Sequence, residues 1–224
     1  MSPHLAVIIP TLNASQTLPA CLAAVKADAV CEIIVADAGS ADTTVALAEQ
    51  AGACVLRDLP PSRGGQLRAG YAAASGDWLL ILHADTRLAP GWPDAVARHM
   101  REHPRKAGWF EFALDDTRLI ARVWEAGVAA RSRLGWPYGD QGLLISRELY
   151  EAVGGYRDIP LMEDLDLVRR LGRKRLRPIG ARAVTSAERY RREGYLGRSW
   201  RNGRLVARWL AGADPADLAR TYRR

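Results

Sequence analysis

The sequence predicts an α/β fold: an open, mostly parallel sheet flanked by helices, with a helical extension at its C-terminal end. Short, almost unbroken apolar runs recur through the first hundred residues, as strands buried on both faces require. Segments with helically spaced apolar residues separate them, and glycine, proline or an acidic turn closes each run. Strands alternating with helices of this length form right-handed βαβ crossovers, whose strands lie parallel.

The first strand is residues 5–9, ended by Pro10. Ser15 is placed to cap a helix reaching about Asp28, with Leu18, Leu22 and Val25 on one face. Residues 32–36 form a second strand closed by Asp37-Ala38-Gly39-Ser40. A helix over 41–51 follows, with Gly52 just past its end, then a third strand over 53–57. Residues 65–75 are helical, Gly76 stops them, and 78–82 make the fourth strand. Beyond residue 90 the rhythm loosens to a helix over 92–101, a strand over 108–114 and a helix over 117–133. A short strand over 142–146, a short helix over 147–153 stopped by Gly154-Gly155, and a helix over 163–172 come next. The tail, 195–223, reads as two helices broken at Gly212, with Asp214 capping Pro215 at the first helical position.

Composition narrows the function classes. At 224 residues, 48% hydrophobic and 25% charged, the chain is neither collagen-like nor disordered. Cys21, Cys31 and Cys54 are an odd set without a CxxC pair, which argues against a disulfide framework or structural zinc and fits a reducing compartment. No apolar run approaches the roughly 20 residues of a membrane span, and no leader pattern precedes the first strand, so a cytoplasmic location is expected. The net charge of +7 divides unevenly, with residues 169–224 carrying 17 Lys+Arg against 4 Asp+Glu and the remainder being net acidic. An acidic front suggests a metal or catalytic carboxylate site, and a basic tail suggests attraction to anions.

In open α/β sheets ligands bind beyond the carboxyl ends of the strands. Those ends here carry Pro10-Thr11-Leu12-Asn13, Asp37 and His83-Ala84-Asp85. No GxGxxG follows the first strand, and Gly70 of the Gly65-x4-Gly70 pair precedes Tyr71 rather than Lys, so dinucleotide and P-loop sites are excluded. A nucleotide held without those loops needs another phosphate handle, and a divalent cation supplies one. Asp85 offers the hard oxygen that Mg²⁺ or Mn²⁺ prefers, or caps the turn before Pro90. His83 is either its neighbour on the same strand face or a satisfied strand-end histidine. Asp37 accepts from a ribose or base, or stabilises its own turn. Glu163, Asp164 and Asp166 begin a helix, where acids complement the dipole; spacing alone favours capping, most readily by Asp166. Adjacent Glu163 and Asp164 exceed that need, and their proximity would raise a proton affinity, as in a general base.

Taken together, Ile8-Ile9-Pro10-Thr11-Leu12-Asn13, Val35-Ala36-Asp37-Ala38-Gly39-Ser40, Leu82-His83-Ala84-Asp85-Thr86 and Gly154-Gly155-Tyr156 ahead of Met162-Glu163-Asp164-Leu165-Asp166 resemble the family 2 glycosyltransferases of GT-A fold, over roughly residues 5–172. His-Ala-Asp-Thr and Pro137-Tyr138-Gly139-Asp140-Gln141-Gly142 are similar to the radical-SAM/selenodomain-associated subgroup. The resemblance implies one GT-A domain over 1–224: a nucleotide-binding half (1–100), an acceptor half (101–190) and a basic helical tail (191–224). It implies that Pro10, Thr11 and Asn13 line the nucleotide pocket, that Asp37 binds base or ribose and that Arg63 contacts phosphate. Asp85 would hold the cation against the diphosphate, with His83 where many relatives have a second acid. Asp164 would be the general base, supported by Glu163, and Asp140 and Gln141 would touch donor sugar or acceptor. Arg68 stands where relatives often carry Asn. The Gln-x-x-Arg-Trp motif of processive synthases is absent, so transfer of a single sugar is expected.

The expected reaction is an inverting displacement on a nucleotide-diphosphate sugar by an acceptor hydroxyl. In the tail, Leu205, Val206, Trp209 and Leu210 share one helical face and Arg201, Arg204 and Arg208 another. That pattern fits an interfacial helix on anionic lipid, serving a lipid-linked acceptor at the inner face of the membrane, or a terminal helix docked on the domain, which is preferred. The rival functions are a sugar-1-phosphate nucleotidyltransferase, which would want a Gly-rich basic loop after the first strand, and a non-catalytic sugar-nucleotide-binding module. Nucleic acid is not an expected partner, because acids surround the predicted crevice.

Overall fold

The computed structural model describes residues 4–223, with residues 189, 193, 196, 198, 199 and 223 described by backbone alone. Residues 1–3 and 224 of the expected single domain lie outside the described residues. The order of elements is β1 (Leu5–Thr11), α1 (Leu18–Val25), β2 (Val30–Asp37), α2 (Thr44–Gln50), β3 (Cys54–Leu56), α3 (Arg63–Ala73) and β4 (Trp78–Ile81). Then come β5 (Thr86–Leu88), α4 (Trp92–Glu102), β6 (Ala107–Leu114), α5 (Leu119–Arg133), β7 (Leu143–Ser146), α6 (Arg147–Ala152) and α7 (Glu163–Leu171). The chain closes with β8 (Leu176–Thr185), α8 (Glu188–Glu193), α9 (Tyr195–Leu210) and α10 (Pro215–Arg223).

All eight strands join one sheet in the order β3-β2-β1-β4-β7-β6-β8-β5. The parallel pairing expected of the first half holds for β3, β2, β1 and β4. The second half is mixed: β7 runs antiparallel to β4 and β6, β8 runs parallel to β6, and β5 antiparallel to β8. This reversal positions the site. Because β7 runs against β4, with Leu143 opposite Ile81, the turn entering β7 lies at the carboxyl end of β4. The end of β8 and the start of β5 meet at the same end, Thr185 opposite Thr86.

β1 is buried along its whole length, and alternate residues feed two cores. Leu5, Val7 and Ile9 pack with Leu18, Leu22 and Val25 of α1 and with Trp92, Val96 and Met100 of α4. Ala6 and Ile8 pack on the opposite face with Leu67 of α3, Leu149 of α6 and Leu167, Val168 and Leu171 of α7. Each of these fully buried aliphatic side chains contributes about 1.5–3 kcal/mol by leaving water, before chain entropy is set against it.

Two expectations are corrected. Ser15 does not cap α1, which begins at Leu18 behind Thr17. The backbone N–H groups of Asn13, Ala14 and Ser15 instead donate to Ser40 Oγ, Thr44 Oγ1 and Asp42 Oδ2, which ties the β1 turn to the β2 turn. Asp166 does not cap α7: its carboxylate binds Arg157 at 3.1 Å and Arg170, one helical turn on, at 2.6 Å. The Leu205–Val206–Trp209 face of α9 is packed on the protein, the docked arrangement preferred from the sequence. At the break between α9 and α10, Gly212 has φ 92, and Asp214 Oδ1 accepts from Ala216 N at 2.9 Å.

Candidate active site

A cavity of about 380 Å³ opens at the carboxyl ends of β1 and β4. One side is the β1 turn, Pro10 to Ala14, with Thr17. Arg63 and Gln66 of α3 and the segment His83-Ala84-Asp85 form the floor, and Leu161, Glu188 and Tyr222 contribute from later in the chain. Pro10, Thr11, Asn13, Arg63, His83 and Asp85, all singled out in the sequence, therefore share one opening.

The turn at β1 is rigid. Asn13 has φ 51, a left-handed conformation that asparagine tolerates, and its Oδ1 accepts from Ala41 N at 2.9 Å. Asp42 links Ser15 and Thr44; slight desolvation opposes its ionisation, but their hydrogen bonds prevail and hold the carboxyl at about 2. Asp37 is 1% exposed and lies outside the cavity lining. Its carboxylate accepts from Thr11 Oγ1 at 2.8 Å, from Gly39 N and Ser40 N at 3.0 and 2.7 Å, and from Ser40 Oγ at 2.5 Å. Its position is that of a brace between two strand ends. Gln66 was not singled out in the sequence; it does similar work, donating to Thr11 O and Ala36 O at 2.8 and 2.7 Å. The signal was available, since Arg63, Gln66, Leu67 and Gly70 form one helical stripe on α3. Arg68 is exposed on that helix and lies outside the cavity lining.

Arg63 connects this cavity to the acids of α7. Ser62 caps α3 through Gly65 N, and the backbone of α3 sits directly on the 157–159 segment: a Cβ at Gly64 would lie 2.0 Å from Arg157 O. Arg63 Nη1 stands 3.6 Å from Glu163 Oε1. Glu163 is 1% exposed, and its Oε2 is buried without a hydrogen-bond partner. Its carboxyl is raised to about 7, chiefly by burial; Arg63 pulls it down and Asp164 pushes it up. Repulsion within the Glu-Asp pair, the cause expected from the sequence, is thus the lesser one.

Asp164 is held by backbone donors. Gly139 N donates to its Oδ2 and Leu165 N to its Oδ1, both at 2.7 Å. A Cβ at Gly139 would fall 2.8 Å from His83 Nε2 and 3.1 Å from Asp164 Oδ2, so glycine there keeps the histidine and the aspartate around a shared space. Gln141 shapes this turn from within: its Oε1 accepts from Ser132 Oγ and Tyr138 N, and its Nε2 donates to Phe110 O. It is 1% exposed and does not face the cavity. Asp140 is half-buried, and its carbonyl accepts from Thr185 Oγ1 at 3.2 Å.

A profile of glycosyl transferase family 2 matches residues 6–156. The chain belongs to that family. A TPR repeat-containing protein of Synechococcus elongatus is 47% identical over 75 residues, 33% of this chain and 18% of that protein. A PGL/p-HBAD biosynthesis glycosyltransferase of Mycobacterium tuberculosis is 35% identical over 106 residues, 43% of this chain. This chain spans only 40% of that relative's length. Among solved structures, the mannosyltransferase PcManGT of Pyrobaculum calidifontis, in complex with GDP-Man and Mn²⁺, has a TM-score of 0.66 at 19% identity, covering 92% of this chain and 61% of that one. TarS of S. aureus with UDP-GlcNAc has a TM-score of 0.64 at 14% identity, covering 81% and 58%. The family 2 chain therefore has the GT-A glycosyltransferase fold.

Asp85 Oδ1 is buried and has no hydrogen-bond partner, an orphaned acceptor on the cavity floor that suits a hard ion. Among the described residues no group of three or more His, Cys, Asp or Glu gathers as a complete ligand set. An ion here would lean on Asp85, with His83 alongside, and draw its remaining ligands from phosphate oxygens and water. No helix among the described residues is long and apolar enough to cross a membrane.

Proposed function

We propose that this family 2 chain transfers a single sugar from a nucleotide-diphosphate sugar to an acceptor hydroxyl, with inversion, and that it uses a divalent cation. One observation carries the reading: Asp85, whose buried Oδ1 has no hydrogen-bond partner, shares a cavity with Arg63, and Arg63 in turn holds Glu163 beside Asp164. A phosphate site and a candidate base are thereby linked through one guanidinium. That the mannosyltransferase of the same fold holds GDP-Man and Mn²⁺, and TarS holds UDP-GlcNAc, supports the donor class.

The nucleoside lies along the Pro10-to-Thr17 side, whose turn Asp37 and Asn13 keep in shape. Asp85, with His83, would hold Mn²⁺ or Mg²⁺, which when bound stabilises charge on the leaving diphosphate. Arg63 lies at the same end of the cavity and offers the diphosphate a permanent positive charge. Asp164 takes the proton from the acceptor hydroxyl as its oxygen attacks the anomeric carbon, and its two backbone donors fix the carboxylate's direction. The sugar–diphosphate bond breaks as the new glycosidic bond forms, and the electron pair leaves with the diphosphate. Asp140, on the turn that holds Asp164, is a donor-sugar or acceptor contact. Gln141 acts from behind that turn as a positioning residue.

Asp164→Asn tests the assignment. It should leave nucleotide-diphosphate binding within a few-fold while turnover falls about 10²- to 10⁴-fold. Retained turnover removes Asp164 as the base. A second reading, a lipid-linked acceptor met by peripheral contact with an anionic bilayer, is favoured by Trp200, 78% exposed on the arginine-rich α9. Flotation with anionic liposomes tests it, and equal recovery with neutral vesicles removes it.

A further inference from the structure

The family profile ends at residue 156, yet the fold brings α10 back to line the cavity. We infer that α10, held in place by its hairpin with α9, is a wall of the donor site and that Tyr222 is a substrate-contacting residue there, meeting the diphosphate–sugar end of the donor. The inference rests on the donor-site reading above and adds to it a residue from outside the matched segment.

Ala219 and Tyr222, one helical turn apart on α10, line the same cavity as Arg63 and Asp85. Their placement is built in. Leu205 of α9 and Leu218 of α10 are 3% and 0% exposed and form one apolar cluster with Met162 and Leu165, the residues on either side of the Glu163-Asp164 pair. Trp136, Tyr138, Leu161, Trp209 and Tyr222 itself pack around that cluster. Two cation–π contacts fasten the hairpin: Arg169 over the Trp209 ring at 5.1 Å and Arg201 over the Tyr222 ring at 5.7 Å. The left-handed Gly212 makes the turn between the helices, and no neighbouring atom lies within 4 Å of a Cβ placed there.

The geometry also says which end of the donor Tyr222 meets. Tyr222 lines the cavity together with Arg63, His83 and Asp85. On the donor-site reading Arg63 and Asp85 mark the phosphate end of the cavity, whereas the nucleoside end is the β1 turn. A phenol hydroxyl there can donate to a phosphate oxygen or a sugar hydroxyl, and its ring shields that end from water.

The test uses the full chain with Tyr222→Phe and Tyr222→Ala. UDP, GDP, CDP, ADP and dTDP are titrated with Mn²⁺ by calorimetry, and the nucleotide that binds is then compared with its monophosphate. Both variants should weaken the diphosphate about 3- to 10-fold, the loss of one hydrogen bond, and leave the monophosphate within about two-fold. Thermal midpoints check that both variants fold. Diphosphate affinity unchanged within about two-fold in both variants overturns the inference while leaving the donor site intact. Equal weakening of mono- and diphosphate also overturns it, because Tyr222 would then act only as a prop. A wild-type chain that binds none of the five overturns the donor-site reading itself, and the inference with it.

Discussion

Replacing Glu163 by Gln probes the buried end of the site through stability rather than turnover. The carboxyl stands at about 7 instead of 4.5, with its side chain 1% exposed. Between those two values the native state holds a proton that the unfolded chain has released, so folding stability falls as pH rises. The contribution is fully present below pH 4.5 and is lost as pH passes through 7. At about 1.4 kcal/mol per unit, the change is about 3 kcal/mol, in the neighbourhood of a third of a typical domain's stability. Gln has the shape of the protonated acid and does not titrate. In urea unfolding at constant ionic strength, Glu163→Gln should match wild type near pH 5 and exceed it by about 2–3 kcal/mol at pH 8. A difference between the two proteins that stays flat from pH 5 to 8, or in which wild type gains on the variant, refutes the assignment of a burial-raised acid. Arg63 is 38% exposed on its side chain and already weighs against the shift, so Arg63→Ala should raise the same carboxyl further and move the wild-type decline to higher pH.

Other outcomes follow from single contacts. Asp85→Ala should abolish the part of nucleoside diphosphate affinity that depends on Mn²⁺ and leave the metal-free part unchanged, as read by calorimetry with and without the ion. Gly64→Ala sets a methyl group 2.0 Å from the Arg157 carbonyl and should destabilise by about 3 kcal/mol or more in urea unfolding, since backbone rather than a side chain must yield. Under native conditions Ellman's reagent should find Cys31 and Cys54, both exposed, and miss Cys21. That thiol is buried, donates to His83 O, and is pushed up to about 12 by burial, with the charge of Asp85 adding to it; a fast third equivalent before unfolding would contradict this.

The elements legible in the sequence are those whose partners lie nearby in the chain. β1 and β4 show themselves as apolar runs between helical stripes because each is buried on both faces, and β2 does so through its buried second half. β5 is invisible by that measure: three residues, with exposed Arg87 between buried Thr86 and Leu88, are too few to reveal a period. β8 hides for another reason. Pro178 and Gly180 interrupt it, and its register with β6 shifts between Trp109 and Glu111, so its pattern resembles a loop. The antiparallel entry of β7 leaves no mark on its residues either, because periodicity reveals strands and not their order. In the site, Asp85 and Asp164 stood out through the family resemblance, since spacing alone left Asp85 open between ligand and cap and favoured capping for the acids that begin α7. The orientation of Asp37 toward its own turn, the bridging by Gln66 and the arrival of Tyr222 depend on contacts between segments far apart in sequence. Glu163 and Asp164 look alike as a sequence pair. Only the packing of Leu165, Leu167 and the 157–160 segment buries one and leaves the other beside the Gly139 turn.

The position of Asp85 at the junction of β4 and β5 has a consequence for biogenesis. β4 pairs with β1, which has already emerged, whereas β5, at the sheet edge, must wait for β8, and the Thr86–Thr185 contact spans 99 residues. A nascent chain can complete the β1–β4 side of the cavity early, yet the strand that anchors the segment after Asp85 arrives only when residues 176–185 leave the ribosome. The cavity is therefore completed late in synthesis, and a truncated translation product would carry its cradle without its clasp.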